Sequence, residues 1–509
     1  MPPVSLRKNT LANYFGQGWQ ALMGLAFIPL YIHYLGVEAW GLVGFMATLQ
    51  AWFVLLDMGL SPALGREMAR FTAGEITAEA VKNLLCSLEI LVGIAALLAG
   101  VLSVVGASWL AEYWLKPEKL AVDAVTTAIA LMGWVIACRM AEQLYRGALQ
   151  GLQRQVWLNV AQAVMATVRW AGVIPILIWV SPTIQAFFIW QGVGSLVSVG
   201  VLAWGAHHFL PATDAKPYFS WAELHRIKRY AGGMVATALL VLFLTQIDKL
   251  LLSKLLSLQH YGYYMLAATV AGGLIFFISP LTAAMLPHLT ELAARRDEAA
   301  LRDSFHRACQ WLAVSVVPAA LVIVFFAKPL LFAWSRDAEL ADQSAPILSL
   351  LALGTLCNAF MNMPYMLQLA HGWSGFAARV NVVAALILVP ALFYFVPRYG
   401  ALAAASIWLA LNLGHLVFST HFIFRRLLPD EKWNWYRSDV VMPLLAGFVP
   451  VLVVLWLWPK SDSFIAMIAR LAAALFFSYV SICFFTPATR KAIQHKLRQA
   501  GIVGSHKTK

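Results

Sequence analysis

Fourteen apolar runs, each about as long as a bilayer is thick, follow one another from Asn9 to Pro487 and occupy most of the chain. A helix needs about 20 apolar residues to cross the hydrocarbon core. The runs therefore read as transmembrane helices near 9–34, 40–65, 84–110, 122–148, 155–181, 183–206, 230–255, 262–290, 304–328, 343–369, 374–396, 399–424, 438–458 and 463–486. Composition agrees, since 61% apolar residues, 12% charged residues and a mean hydropathy of +0.73 lie outside the range of soluble domains. The expected fold is an all-α integral membrane protein, and its function has to be read from the polar residues that interrupt the runs.

Placing the N-terminus in the cytoplasm puts 26 of the 37 Lys and Arg at cytoplasmic helix ends and loops. Seven fall on the other side (Lys116, Lys119, Lys254, Lys328, Arg336, Arg398 and Lys460) and four inside spans. Cytoplasmic loops carry such an excess, so both termini are expected in the cytoplasm. The net charge of +13 and pI near 9.6 follow from basic loops facing anionic headgroups and call for no nucleic-acid partner. Arg7 and Lys8 precede an apolar stretch, but the first span is too long for the apolar core of a signal peptide and is expected to stay as helix one. The five cysteines fall in spans without paired spacing and read as packing residues.

Loops are short throughout, which leaves no room for a soluble catalytic domain. The segment 207–229, with Pro211, Pro217 and the basic run Arg226, Lys228 and Arg229, follows the sixth span and reads as a linker. The expected division is a six-helix lobe over 1–206, the cytoplasmic linker, a second six-helix lobe over 230–425, two additional helices at 426–486 and a basic cytoplasmic tail at 487–509. Faint internal similarity supports it: Ser61-Pro62 followed by Arg66-Glu67-Met68-Ala69-Arg70 is echoed by Ser279-Pro280 followed by Glu291-Leu292-Ala293-Ala294-Arg295. Six spans per lobe make the repeats parallel, a plan known from secondary transporters with a central cavity.

Polar residues inside spans carry the chemistry, because charge in hydrocarbon is costly unless it faces water or a partner. At 100° per residue, Asn13, Gln17 and Gln20 share one face of span one. That stripe either lines a lumen or hydrogen-bonds a neighbouring helix. In span four Arg139, Glu142, Gln143, Arg146 and Gln150 fall within about 100° of one face, with Glu142 spaced to pair with either arginine. One carboxylate cannot neutralise two guanidiniums, so this face reads as a cationic, water-accessible wall. Arg169 in span five lies about eleven residues, roughly 16 Å, from the loop at Ser181, too deep to snorkel and expected to face an aqueous cavity. In span seven Gln246 and Lys249 share a face while Asp248 points away. Asp57 and Asp248 are candidate coupling sites should transport draw on a proton or sodium gradient. Pro29, Pro175, Pro280, Pro287, Pro364 and Pro390, with Gly272 and Gly273, mark helices able to bend.

Three stretches carry a family resemblance. They are Tyr34-Leu35-Gly36-Val37-Glu38-Ala39-Trp40-Gly41, then Leu56-Asp57-Met58-Gly59-Leu60-Ser61 ending in Arg66-Glu67-Met68-Ala69-Arg70, and Gln246-Ile247-Asp248-Lys249 through Tyr261-Gly262-Tyr263-Tyr264. They resemble the polysaccharide transporter family, the Wzx-type O-antigen flippases of the multidrug/oligosaccharidyl-lipid/polysaccharide exporter superfamily, over roughly residues 5–425. The resemblance implies two pseudo-symmetric six-helix lobes around a central cavity plus two C-terminal helices. It also implies movement of an undecaprenyl-pyrophosphate-linked oligosaccharide, an O-antigen or exopolysaccharide repeat unit, from the cytoplasmic to the periplasmic leaflet by alternating access, with no cofactor. The partners it implies are the polyprenyl-diphosphate-linked oligosaccharide, membrane lipids and the glycan polymerase machinery. Guanidinium groups match phosphate oxygens bidentately. Arg139, Arg146 and Arg169 suit that task, with Glu142, Lys249, Asn13, Gln17, Gln20 and Gln246 as further substrate-binding candidates.

Other readings share part of the pattern. An exporter of lipid II or of small cationic drugs would use the same fold with a different cavity lining. A membrane-embedded glycan polymerase or ligase would be an enzyme and would need a substantial periplasmic loop bearing catalytic residues. The topology is open to direct measurement: a reporter fused after Lys509 should report the cytoplasm, and a periplasmic signal would overturn the orientation.

Overall fold

The computed structural model describes residues 6–53, 57, 59–212, 216–459 and 463–490. Ser5, Leu56, Met58, Lys460 and the tail from residue 491 lie outside the described residues, as do the side chains of Arg7, Lys8 and Arg229. Among the described residues there is no strand. The chain forms two compact units, residues 1–265 and 266–509.

In the first unit α1 (Leu6–Ala26) and α2 (Ile28–Leu35) form the first span, and α3 (Val37–Phe53) and α4 (Leu60–Thr72) the second. Then come α5 (Ala78–Trp109), α6 (Val122–Gly151), α7 (Gln155–Ala171) with α8 (Val173–Trp179), α9 (Ile184–Phe209) and α10 (Trp221–Leu255). α11 (Leu258–Gly272) begins in this unit, and α12 (Ile275–Arg295) completes that span. The second unit continues with α13 (Glu298–Phe325), α14 (Ala327–Ser335), α15 (Ala338–Ala370), α16 (Ser374–Gly414), α17 (Thr420–Leu427), α18 (Lys432–Trp435), α19 (Met442–Leu457) and α20 (Phe464–Phe485).

Each expected span falls on a helical run. Among the described residues ten runs are long and apolar enough to cross a membrane. One of them, residues 374–427, is 54 residues long, about twice a crossing. It is two helices in one, because Gly400, at φ 61° and ψ −143°, leaves the helical region just after Pro397. The helices at 6–35, at 37–53 with 60–72, and at 221–255 account for the rest.

Several interruptions fall where breakers stood in the sequence. Pro29 sits in the first turn of α2 and Pro175 in the first turn of α8, where the missing N–H costs no intrahelical bond. Gly273 separates α11 from α12. Gly59, at φ 68°, opens α4, a left-handed conformation that residues with a Cβ disfavour.

The two units repeat one packing scheme. In the first, α6 is the hub against α4, α5 and α9; in the second, α15 is the hub against α12, α13 and α16. Each unit is thus built around one long helix in contact with several others.

Hydrocarbon gives helices no hydrophobic reason to associate, so close approach rests on small residues. At the α4–α6 crossing Ser61 and Gly65 meet Gly147 and Gly151. A Cβ added to Gly147 would lie 2.4 Å from the Ser61 carbonyl oxygen, and one on Gly151 2.1 Å from the Gly65 carbonyl oxygen.

The segment expected to link two lobes is tied to the first unit. The Tyr218 N–H donates to Asn83 Oδ1 (3.0 Å) and the Ser220 N–H to Ser87 Oγ (2.8 Å) on α5, while Arg226 reaches the buried Glu67 of α4 (3.3 Å). At the other end of the unit Glu38 accepts the N–H groups of Glu118, Lys119 and Leu120 at 2.6–3.0 Å, so one carboxylate satisfies the backbone of the α5–α6 turn.

In the second unit the appended helices are anchored polar-to-polar. His306 of α13 sits between Asp439 (Nδ1–Oδ2, 2.5 Å) and Glu431 (Nε2–Oε2, 3.1 Å), and Gln310 donates to Asp439 (2.8 Å).

The α4–α6 contact gives a direct test. Gly151→Ala should shift the thermal unfolding midpoint of the detergent-solubilised protein down, by an overpacking cost of about 1–3 kcal/mol. Gly93→Ala, on α5 where an added Cβ meets open space, should leave the midpoint unchanged or slightly raised. Equal midpoints for the two variants would remove the crossing as a determinant of stability.

Candidate functional site

The helical periodicity of α6 builds one wall of a cavity of about 630 Å³ in the first unit. Arg139, Gln143, Arg146 and Gln150 project into it at spacings of four, three and four residues, one continuous face. α4 supplies Ser61, Pro62, Gly65 and Ala69, the link before it supplies Asp57, and α3 supplies Gln50. Gly147 and Gly151 complete the floor, so the backbone crossing that joins α4 to α6 is also the bottom of the cavity.

Glu142 leaves this face. Its carboxylate takes Arg169 of α7, 27 residues on, with Nη1 at 2.9 and 3.2 Å from the two oxygens. Spacing along α6 pairs Glu142 with Arg139 or Arg146, but a guanidinium brought from a neighbouring helix reaches it instead. Arg169 is 6% exposed and does not line the cavity. Gly194 of α9 makes room for its stem, since a Cβ there would lie 2.7 Å from Arg169 Cγ. The Gln191 side chain donates to the Arg169 carbonyl (3.3 Å).

The pairing leaves the cavity wall cationic. Among the described residues neither Arg139 nor Arg146 makes an ion pair, and the Nε of Arg139 is buried without a hydrogen-bond partner. The carboxylate lining the cavity, Asp57, is engaged by Ser61, whose N–H lies 3.2 and 3.3 Å from its oxygens and whose hydroxyl donates at 2.6 Å. Asp57 thereby caps the start of α4 as well as lining the cavity.

The polar stripe of span one is turned to α7. Asn159 donates to Asn13 (2.6 Å), Gln20 reaches Gln162 (3.4 Å), and Trp19 donates to Thr167 (2.9 Å). Asn13 and Gln20 thus serve interhelical hydrogen bonding, while Gln17 is exposed. On α10 the four-carbon stem of Lys249 curls back, so its ammonium meets Asp248 at 3.2 Å and donates to the Thr245 carbonyl at 2.7 Å. Asp248 also accepts from the buried Tyr264 of α11 (2.5 Å). The two were expected on separate faces; side-chain length overcomes the 100° step. Gln246 is half-buried on the same helix.

Gln50 and the small residues of the floor escaped the sequence reading. A lone glutamine in an apolar run carries little signal. The Ser61-x-x-x-Gly65 and Gly147-x-x-x-Gly151 spacings, characteristic of close helix crossings, could have marked the floor.

Residues 6–293, more than half of the chain, match the polysaccharide biosynthesis protein family. The chain belongs to that family. Residues 234–395 also match the MatE family. A Shigella flexneri protein named "Putative O-antigen transporter" is 20% identical over 405 residues, 80% of this chain and 94% of its own length. Among solved structures, a lipid II flippase, MurJ, in an inward closed conformation superposes with a TM-score of 0.70 at 12% identity, over 95% of this chain and 99% of its own. An inward-facing multidrug resistance MATE transporter of the MOP superfamily gives 0.63 at 15% identity, over 84% and 96%. These likenesses bear out the superfamily and the multi-pass helical fold that the sequence pointed to.

The Glu142–Arg169 pair separates a structural arginine from the cavity arginines. Arg169→Ala strands a half-buried carboxylate inside the bundle, an expected loss of up to about 3–5 kcal/mol, and should sharply reduce the folded protein recovered. Glu142→Gln combined with Arg169→Gln should restore most of that yield, and Arg139→Ala should purify like the parent. Full recovery of folded Arg169→Ala would show that the pair does not hold α6 to α7.

Proposed function

We propose that this member of the polysaccharide biosynthesis protein family is a flippase. Its cargo is an undecaprenyl-diphosphate-linked oligosaccharide, carried from the cytoplasmic to the periplasmic leaflet of a bacterial inner membrane by alternating access. The observation that supports this reading best is the cationic cavity wall. Arg139 and Arg146 line it, while the charge of the neighbouring Glu142 is spent on Arg169. Two guanidiniums without carboxylate partners in a low-dielectric cavity await an anion, and diphosphate oxygens fit their planar forks. Gln50, Gln143 and Gln150 add amide donors and acceptors suited to sugar hydroxyls.

The names of the relatives agree with transport rather than bond making. A cavity with this charge disfavours small cationic drugs, whose desolvated charge would meet two arginines. Lipid II is also a polyprenyl-diphosphate-linked glycan, so the same wall suits it; the family match is what favours the polysaccharide precursor. Asp57, locked by Ser61 on the cavity wall, and Asp248, held by Lys249 and Tyr264, are the carboxylates proposed for coupling to a proton or sodium gradient.

Reconstitution tests the reading. Full-length protein in liposomes should move a polyprenyl-diphosphate oligosaccharide between leaflets and return it chemically unchanged. Arg139→Ala should lower the rate at limiting substrate about tenfold or more, the worth of one hydrogen bond to a charged group at about 1.5–3 kcal/mol. Arg139→Lys should recover part of the loss. A lengthened or cleaved glycan, or undiminished transport by an Arg139→Ala/Arg146→Ala variant, would overturn it.

A further inference from the structure

A second basic cavity lies in the second unit, apart from everything described so far. It has a volume of about 690 Å³ and is lined by three arginines, Arg379, Arg425 and Arg426, and three aromatic residues, Trp373, Phe376 and Phe422. The α15–α16 turn and the start of α16 supply Trp373, Phe376 and Arg379, and α17 supplies Phe422, Arg425 and Arg426. Gly372, at φ 68°, allows the tight turn, and the Gln368 side chain donates to the Trp373 carbonyl at 2.7 Å, which ties the backbone of the turn to α15.

No carboxylate lines this cavity, and none of the three arginines makes an ion pair among the described residues. Arg426 lies over the Trp373 ring, 4.3 Å from its centroid. That contact uses the face of the guanidinium and leaves its in-plane N–H groups free. Arg379 commits only its Nε, to the Gly375 carbonyl at 3.2 Å. Three like charges lining one cavity without a counter-charge repel one another, weakly where they face water, and an anion among them would relieve that repulsion. The aromatic half has its own reading. Trp373 and Phe376 stack at 4.5 Å, and Phe376 leads on to Phe422, which is 49% exposed. A soluble anion has no use for that apolar wall, whereas a headgroup continuing into an acyl chain would cover it. Apolar membrane-spanning helices end here, so the cavity sits at headgroup depth, where basic pockets between helices take anionic lipids.

We infer that the Arg379, Arg425 and Arg426 cavity, walled by Trp373, Phe376 and Phe422, binds the phosphate of a membrane lipid, with the lipid's first methylenes against the aromatic wall. The phosphate has two possible sources, a resident anionic phospholipid or a polyprenyl diphosphate in the same leaflet. The site does not depend on the cavity of the first unit or on the proposed flipping.

Native mass spectrometry of the full chain released from detergent measures it directly. The parent and an Arg379→Gln/Arg425→Gln/Arg426→Gln variant would be incubated with phosphatidylglycerol, with phosphatidylcholine and with undecaprenyl diphosphate. The parent is expected to retain a phosphatidylglycerol adduct at least fivefold more than the triple variant, with phosphatidylcholine retention equal in both. Retention of undecaprenyl diphosphate alone, lost in the same variant, would support the phosphate site and assign the polyprenyl source. The single Arg→Gln variants, all at exposed positions, should lose retention in part and decide the matter if the triple variant does not purify. Equal retention of both anionic lipids by the parent and the variants would overturn the inference.

Discussion

The Glu142–Arg169 ion pair sets the electrostatics of the first unit. Arg169 enters from α7 and takes the carboxylate that α6 would otherwise share with its own arginines. A buried pair of this kind contributes little net stability by itself, because desolvation offsets the attraction. Its consequence lies elsewhere: the face of α6 that meets the cavity keeps two guanidiniums beside Gln143, Gly147, Gln150 and Gly151, while the Glu142 carboxylate is engaged by Arg169. Had Glu142 paired within α6, one of the two cavity guanidiniums would carry a carboxylate partner and the wall would be less cationic.

Packing and polarity are arranged around that decision. The same helix that turns Glu142 outward carries Gly147 and Gly151 one and two turns later, where α4 comes into backbone contact. Hydrogen bonds between α1 and α7 hold the helix that supplies Arg169, so the polar stripe of span one supports the ion pair at one remove. In the second unit, where α15 takes the part of α6, polar anchoring is concentrated instead around His306, Asp439 and Glu431, which hold the appended helices to α13.

Sequence periodicity carried the helices and one face of the site, and physical reasons explain where it stopped. Arg139, Gln143, Arg146 and Gln150 share a wall because 100° per residue is a property of the backbone and needs no partner to be known. Glu142 was placed on that wall by the same rule, and only the arrival of Arg169 from another helix turned it away. Contacts between helices are what periodicity cannot supply. The stripe at Asn13 and Gln20 was legible as a stripe, with its partner α7 hidden. Lys249 and Asp248 show a further limit, since a long flexible stem can defeat the angle at which its Cα leaves the helix. The breaks at Pro29, Pro175 and Gly273 were visible as residue types, whereas Gly59 and Gly400 were not read as breaks, since a single glycine inside a span does not announce its backbone conformation.

The floor of the first cavity is made of main chain, and this divides its lining into parts that can and cannot vary. Carbonyls of Ser61 and Gly65 stand within reach of any atom added to Gly147 or Gly151. Depth is therefore fixed by the crossing and cannot be adjusted one side chain at a time. Gln50, Gln143 and Gln150 hang from the walls under no such constraint. A lineage that changes its cargo would be free to exchange the walls while inheriting the floor unaltered. Divergence in such a protein would then concentrate on three or four positions around a cavity whose bottom stays the same.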